Sequence, residues 1–162
     1  MYLTYATRLC AMRNLLTFAL LFVFTASSFA QNCGATLTVE KDRNSKAVYE
    51  NGAFFTLELT NTSSSTKTFT LSTALMQEGC ERGQKSLQSA AVADLSFVNS
   101  QSKKSLSNIT LRGKETYKFY VKAMASGKSA SKQWGCYEVI ADQDGCTTST
   151  VVKVYVPNPT EQ

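Results

Sequence analysis

The feature that most constrains this chain is a side-chain period of two, repeated in short runs and broken each time by turn-forming residues. Within 53–61, Phe55, Leu57 and Leu59 alternate with Phe54, Thr56 and Glu58; within 116–123, Tyr117, Phe119, Val121 and Ala123 alternate with Lys118, Tyr120 and Lys122. Successive side chains of an extended strand point to opposite faces, so each run buries one face and wets the other. Apolar residues nowhere recur at a sustained spacing of three and four, which removes amphipathic helices. Further strands are expected over 35–40, 67–75, 95–97, 106–111, 134–141 and 148–156. The alternation breaks between Leu106 and Ile109, where a bulge or a shifted boundary is expected. Residues 41–52 read as a charged connection ending in Asn51-Gly52, and 78–89 as a long loop. Pro157 and Pro159 end the pairing. Seven to eight short strands with turn signals between them predict an all-β, antiparallel two-sheet sandwich.

The N-terminus is a secretory signal in composition. Arg8 and Arg13 supply positive charge, no acidic residue precedes Glu40, and an apolar run over 15–24 leads to Ser28-Phe29-Ala30. That run is about half of the roughly 20 residues a spanning helix needs, so cleavage after Ala30 is expected rather than anchoring. Met12 to Ala30 alone would make a compact signal. The residues before Cys33, Ala30-Gln31-Asn32, depart from a lipoprotein signal, and no lipid anchor is expected. The expected division is 1–30 signal peptide and 31–162 a single domain, placed in the periplasm or outside the cell, with no membrane span in the mature chain.

Removing residues 1–30 takes away Arg8 and Arg13 and lowers the net charge from +5 to +3. The densest basic cluster is Lys103-Lys104, too small for a nucleic-acid footprint, so nucleic acid is excluded as a partner. Cys10 leaves with the signal, and Cys33, Cys80, Cys136 and Cys146 remain. An even number of cysteines in an exported protein predicts two disulfides. Zinc would need close cysteine pairs or histidine, and the chain has no histidine at all.

The stretch Thr110-Leu111-Arg112-Gly113-Lys114-Glu115-Thr116-Tyr117-Lys118-Phe119, followed by Trp134-Gly135-Cys136-Tyr137-Glu138-Val139-Ile140-Ala141, resembles the last strands of immunoglobulin-like and fibronectin type III-like modules of bacterial secreted proteins. Those modules carry a Gly-Glu-Ser/Thr turn before one strand and Gly-x-Tyr-x-Val/Ile-x-Ala in the next. The resemblance implies an immunoglobulin-like sandwich and no particular activity. It also implies a bacterial source, in which the sequons Asn61-Thr62-Ser63 and Asn108-Ile109-Thr110 carry no weight.

If the strands follow the usual order of that sandwich, Cys33 and Cys146 fall at one end and Cys80 and Cys136 at the other. Disulfides need Cα atoms within about 7 Å, so this order favours Cys33–Cys146 with Cys80–Cys136. The competing set is Cys136–Cys146 with Cys33–Cys80. A hairpin over Asp142–Gly145 would set Cys146 opposite Ala141 and out of register with Cys136.

No catalytic constellation emerges. Without histidine the usual general base is missing, and no phosphate loop or nucleophile elbow occurs. The carboxylate pairs Asp142/Asp144 and Glu78/Glu81 lie in expected turns, where they serve the backbone. Asp142-Gln143-Asp144-Gly145 lacks the later acidic ligands of a calcium loop. No enzyme activity, cofactor or metal is therefore expected. Binding is the remaining class. Phe54, Tyr120 and Tyr155 should point away from the core, with Lys118 and Lys122 beside Tyr120 and with Trp134 at the core or its rim. The expected function is an exported, non-enzymatic adhesion, envelope-accessory or protein-binding module, with a protein or glycan partner. The alternatives are a carbohydrate-binding module using Tyr120 or Trp134, and a sandwich-type protease inhibitor. The inhibitor reading finds only Asn158-Pro159-Thr160 in its favour, at the C-terminus rather than in a loop.

Overall fold

In the computed structural model, residues 33–77, 80, 91–126 and 132–158 are described. The expected signal over 1–30 and the pair Glu78/Glu81 lie outside them. Among the described residues nine strands make two facing sheets: β1 Ala35–Val39, β2 Ser45–Ala47, β3 Ala53–Asn61, β4 Lys67–Leu75, β5 Ala93–Asn99, β6 Asn108–Leu111, β7 Thr116–Ala125, β8 Gln133–Gln143 and β9 Cys146–Val156. One sheet has the order β1-β3-β7-β5 and the other β2-β9-β8-β4-β6. This is an all-β immunoglobulin-like sandwich.

The period-two runs bury their apolar members between the sheets. Phe55, Leu57 and Leu59 of β3 meet Phe119 and Val121 of β7, and Phe69 of β4, Val139 of β8 and Val152 and Val154 of β9 fill the other side. Full burial of one such side chain contributes about 1.5–3 kcal/mol, so the central strands carry most of the cohesion.

Three local features differ from expectation. Residues 45–47, inside the segment read as a connection, form β2, whose pairing with β9 is parallel while all other ladders are antiparallel. Strand β6 begins at Asn108, because Leu106 is drawn away: its N–H donates to the Phe97 carbonyl at 2.9 Å, while Leu71 N–H donates to the Ser107 carbonyl at 2.9 Å. The short crossover thus stitches the two sheets together where the alternation broke. Finally, the β8–β9 turn is tighter than read. Asp144 (φ 54°) and Gly145 (φ 80°) alone make the loop, a two-residue turn with both residues left-handed. Cys146 therefore stands opposite Gln143, not Ala141.

Disulfides join Cys33 to Cys146 and Cys80 to Cys136, with Cα separations of 5.4 and 5.1 Å. The first ties the start of β1 to the start of β9; the second reaches the outward-facing side of β8.

One side chain holds the sheets together by hydrogen bonds rather than by packing. The Tyr137 hydroxyl on β8 accepts from the Ala93 N–H at 2.8 Å and donates to the Ala93 carbonyl at 2.8 Å, satisfying the outer edge of β5 in the facing sheet. Burial holds the Tyr137 phenol above its ordinary pKa, an effect partly offset by the backbone groups of Ala93 and Val92. Tyr137→Phe is expected to cost about 1–3 kcal/mol, because two backbone groups lose their partner. A raised folded-state pKa makes the stability full below pH 10.0 and drains it as pH rises through the folded value. Urea titrations between pH 7 and pH 11 check both points; an alkaline loss identical in wild type and Tyr137→Phe would discard the assignment.

Candidate functional site

The exposed face of the β1-β3-β7-β5 sheet gathers four of the five residues singled out for binding. On β3 and β7, Thr56 stands opposite Tyr120 and Phe54 opposite Lys122, so Phe54 and Tyr120 are diagonal neighbours. Their rings meet edge to face, with centroids 5.9 Å apart and planes at 71°. Phe54 is 41% exposed, a high value for a phenylalanine on a sheet. The edge-to-face pair is worth about 0.5–1.5 kcal/mol beyond its buried area.

Cations surround this pair. Lys122 Nζ lies 5.9 Å from the Phe54 ring, and Lys103 Nζ lies 4.0 Å from the Tyr120 ring. Neither ammonium has a carboxylate partner among the described residues. Lys103 was visible in sequence only as part of a small basic cluster. Asn99 brings it here: its Oδ1 accepts from the N–H groups of Gln101 and Ser102, and its carbonyl accepts from Lys103 N–H, turning the chain back toward β7. Asparagine followed by small polar residues after a strand is a turn signal, but no local pattern tells which ring a lysine in that turn will cover.

Lys118 has a different role from Lys122. Its ammonium sits between Glu40 and Glu58, 2.8 Å from an oxygen of each. Hydrogen bonding to Glu40 and then to Glu58 raises the Lys118 pKa, and the same Lys118 bond lowers that of Glu40. Lys118 is exposed and the two glutamates are partly exposed, and surface pairs of this kind contribute little to stability. Lys118 is thus neutralised, while Lys103 and Lys122 leave the aromatic end of the face positive.

Trp134 is not part of this surface. It projects from β8 on the outer side of the other sheet, half-buried, with its ring 5.1 Å from that of Tyr155. The sandwich separates it from Tyr120, so no small ligand spans both. Asp142 and Asp144 belong to the β8–β9 hairpin, where Asp142 Oδ1 accepts from the Gly145 N–H at 3.4 Å. Among the described residues there is no group of three acidic or cysteine side chains able to hold a metal ion. Nor does any described helix have the length and apolarity to cross a membrane.

The motif that carried the family resemblance has a structural purpose. Glu115 Oε2 accepts from the Arg112 N–H at 2.7 Å. A Cβ on Gly113 would lie 2.3 Å from the Ser64 carbonyl oxygen, so only glycine lets the two turns close on each other.

No family model matches the chain, and no curated protein matches it. Among solved structures, a FixG-related protein from Vibrio parahaemolyticus is similar with a TM-score of 0.52 at 11% identity, over 76% of this chain and 96% of that one. A family 123 glycoside hydrolase from Clostridium perfringens scores 0.49 at 10% identity, over 77% of this chain and 27% of that one. The E. coli chaperone DraB scores 0.42 at 13% identity, over 78% and 57%. The last two fall below the level at which a shared fold can be argued; the first supports the immunoglobulin-like sandwich and nothing about activity.

Proposed function

We propose that this chain is an exported, non-enzymatic immunoglobulin-like module that binds a protein partner through the outer face of β3 and β7, around Phe54 and Tyr120. The observation that carries the reading is an exposed aromatic pair flanked by two lysines that have no carboxylate partner among the described residues. Exposed aromatics beside unneutralised charge are what interface anchors look like. Two disulfides support an oxidising destination, in agreement with the signal-like N-terminus. Both support a reading in which the protein works in the envelope or outside the cell.

The lysines also shape the choice of partner. An ammonium 4.0 Å over the Tyr120 ring already occupies one face of it, which leaves less of the ring for stacking on a sugar. An acidic protein surface is favoured over a glycan. The test is a pull-down from envelope extract with wild type and with Phe54→Ala/Tyr120→Ala. Both side chains face solvent, so the fold should hold while retention of the specific partner falls at least tenfold, as loss of about 1.4 kcal/mol or more implies. Unchanged retention rejects the face, and retention on a polysaccharide gel lost in the Tyr120 variant would favour the glycan reading.

A further inference from the structure

The two disulfides are nested: Cys33 joins Cys146, and Cys80–Cys136 lies within the loop they close. An unfolded chain favours a different pairing. The chance that two cysteines meet falls roughly as the −3/2 power of the loop between them. Cys136 and Cys146 stand ten positions apart, against spans of 56 and 113 residues for the native bonds. Cys136–Cys146 should therefore form roughly tenfold faster than the shorter native bond and roughly fortyfold faster than the longer one. Once it has formed, Cys33 and Cys80 are left with each other.

Neither of these two bonds fits the folded domain. Cys146 stands opposite Gln143, and Cys136 lies seven residues back along β8, about 24 Å at the rise of a strand. A disulfide needs Cα atoms within about 7 Å. Cys33 lies 5.4 Å from Cys146 and Cys80 lies 5.1 Å from Cys136, so Cys33 and Cys80 are out of each other's reach as well. A chain carrying Cys136–Cys146 cannot zip the β8–β9 hairpin, and Val139 of β8 cannot join Val152 and Val154 of β9 in the core. Early folding gives little protection. Strands β8 and β9 are the last in the chain, and the reduced chain lacks the restraint that two long-range bonds supply.

We propose that this protein is a client of thiol–disulfide isomerisation. It reaches its native bonds from Cys33–Cys80 with Cys136–Cys146, through an external thiolate that an isomerase with a low-pKa cysteine supplies in the cell. That starting set leaves no thiol in the chain, because all four cysteines are paired and Cys10 goes with the signal. The loss of Cys10 rests on the export reading above. The exchange balances. The isomerase thiolate attacks Cys146 Sγ, forming a mixed disulfide and releasing Cys136 as a thiolate. Cys136 attacks Cys80 Sγ, closing Cys80–Cys136 and releasing the Cys33 thiolate. Cys33 then attacks Cys146 Sγ, closing Cys33–Cys146 and returning the isomerase thiolate. Two disulfides enter and two leave, with nothing oxidised or reduced overall.

The test is oxidative refolding of the exported protein, reduced and unfolded in guanidinium and then diluted far enough that bonds form within single chains. The oxidant is diamide, which leaves no thiol behind. After alkylation, non-reducing peptide mapping of soluble and precipitated chains together should find Cys136–Cys146 in most of them. Adding reduced and oxidised glutathione should raise the fraction with both native bonds by at least about fivefold, while Cys136–Cys146 disappears. Isolated chains with the non-native set should keep it in thiol-free buffer. They should convert when reduced glutathione is added well below their own concentration, since the thiolate is returned. Native bonds in most chains with diamide alone overturn the proposal, and so does a dominant Cys33–Cys136 or Cys80–Cys146 bond. Isolated chains that rearrange without added thiol, or an exported protein whose mass retains Cys10, overturn the need for an external thiolate. Phe54→Ala/Tyr120→Ala should refold as wild type does, so failure of the binding face is read separately.

Discussion

Replacing both Cys33 and Cys146 by alanine is expected to remove about 3–5 kcal/mol of stability and to lower the thermal midpoint by roughly 10–15 °C. The bond spans 113 residues, nearly the whole described domain. In the chain-entropy picture a cross-link stabilises by restricting the unfolded ensemble, and the restriction grows with the logarithm of the closed loop. The native state loses little else, because Cys33 lies before β1 and Cys146 at the rim of a two-residue hairpin, both outside the buried core. The second bond provides an internal control. Its span is 56 residues, about half as long, so alanine at Cys80 and Cys136 should cost about 0.6 kcal/mol less from loop entropy alone. Cys136 is fully buried whereas Cys33 is half-exposed, so a cavity at Cys136 works against that ordering. Comparing alanine with serine at Cys136 separates the two contributions, since only the packing loss depends on the replacement. Denaturant titrations of the oxidised wild type and both double variants measure this. A loss below 1 kcal/mol for the longer bond would show that the unfolded chain retains enough structure to cancel the loop argument.

How much of this was legible in the sequence depends on the range of the interaction that decides each element. Strands β3 and β4 appear with the boundaries that alternation assigns them, because a long period-two run bounded by Asn-Gly or by serines leaves no competing structure. Strand β2 could not be read. Ser45-Lys46-Ala47 has no alternation of its own and becomes a strand only because β9 lies beside it, roughly a hundred residues later in the chain. The start of β6 was blurred for a similar reason, since Leu106 answers to Phe97 in one sheet and Ser107 to Leu71 in the other. At the aromatic face, Phe54, Tyr120 and Lys122 followed from strand parity. The pairing of Lys118 with Glu40 and Glu58 did not, nor did Lys103 over Tyr120, because side chains on loops are placed by tertiary geometry. Tyr137 shows the same limit from the other direction: parity puts it inward, but only the sandwich shows that its hydroxyl finishes an edge strand across the core.

Asn61 is the least legible residue of all, and it leads to the second large effect. In sequence it is the end of a strand and the first residue of a sequon, both of which suggest exposure. In the structure it is 0% exposed, the one buried amide side chain among the described residues. Its Nδ2 donates to the carbonyls of Ser65, Leu111 and Arg112 at 2.8, 3.1 and 3.1 Å, and its Oδ1 accepts from the Ser63 N–H and hydroxyl at 3.0 and 2.7 Å. One amide thus joins the β3–β4 turn to the turn where Gly113 abuts Ser64. Asn61→Ala should cost about 2–3 kcal/mol at any pH, through orphaned carbonyls and a small cavity. Asn61→Asp keeps the shape but replaces a donor by an oxygen facing three carbonyls. A buried carboxylate there is uncompensated, and the expected cost at pH 7 is about 3–5 kcal/mol. The same repulsion raises the aspartate pKa in the folded state above its unfolded value near 3.9. A raised folded-state pKa means the acid is bound more tightly in the native protein, so the deficit relative to wild type should shrink as pH falls toward 4 and grow again as pH rises through the folded value. The protonated acid can donate to one of the three carbonyls, which accounts for the recovery. Guanidinium titrations of wild type, Asn61→Ala and Asn61→Asp at pH 4, 5.5 and 7 give the three curves. An Asn61→Asp deficit that stays constant across them would mean that the site admits water and that the amide is not the buried hub its hydrogen bonds describe.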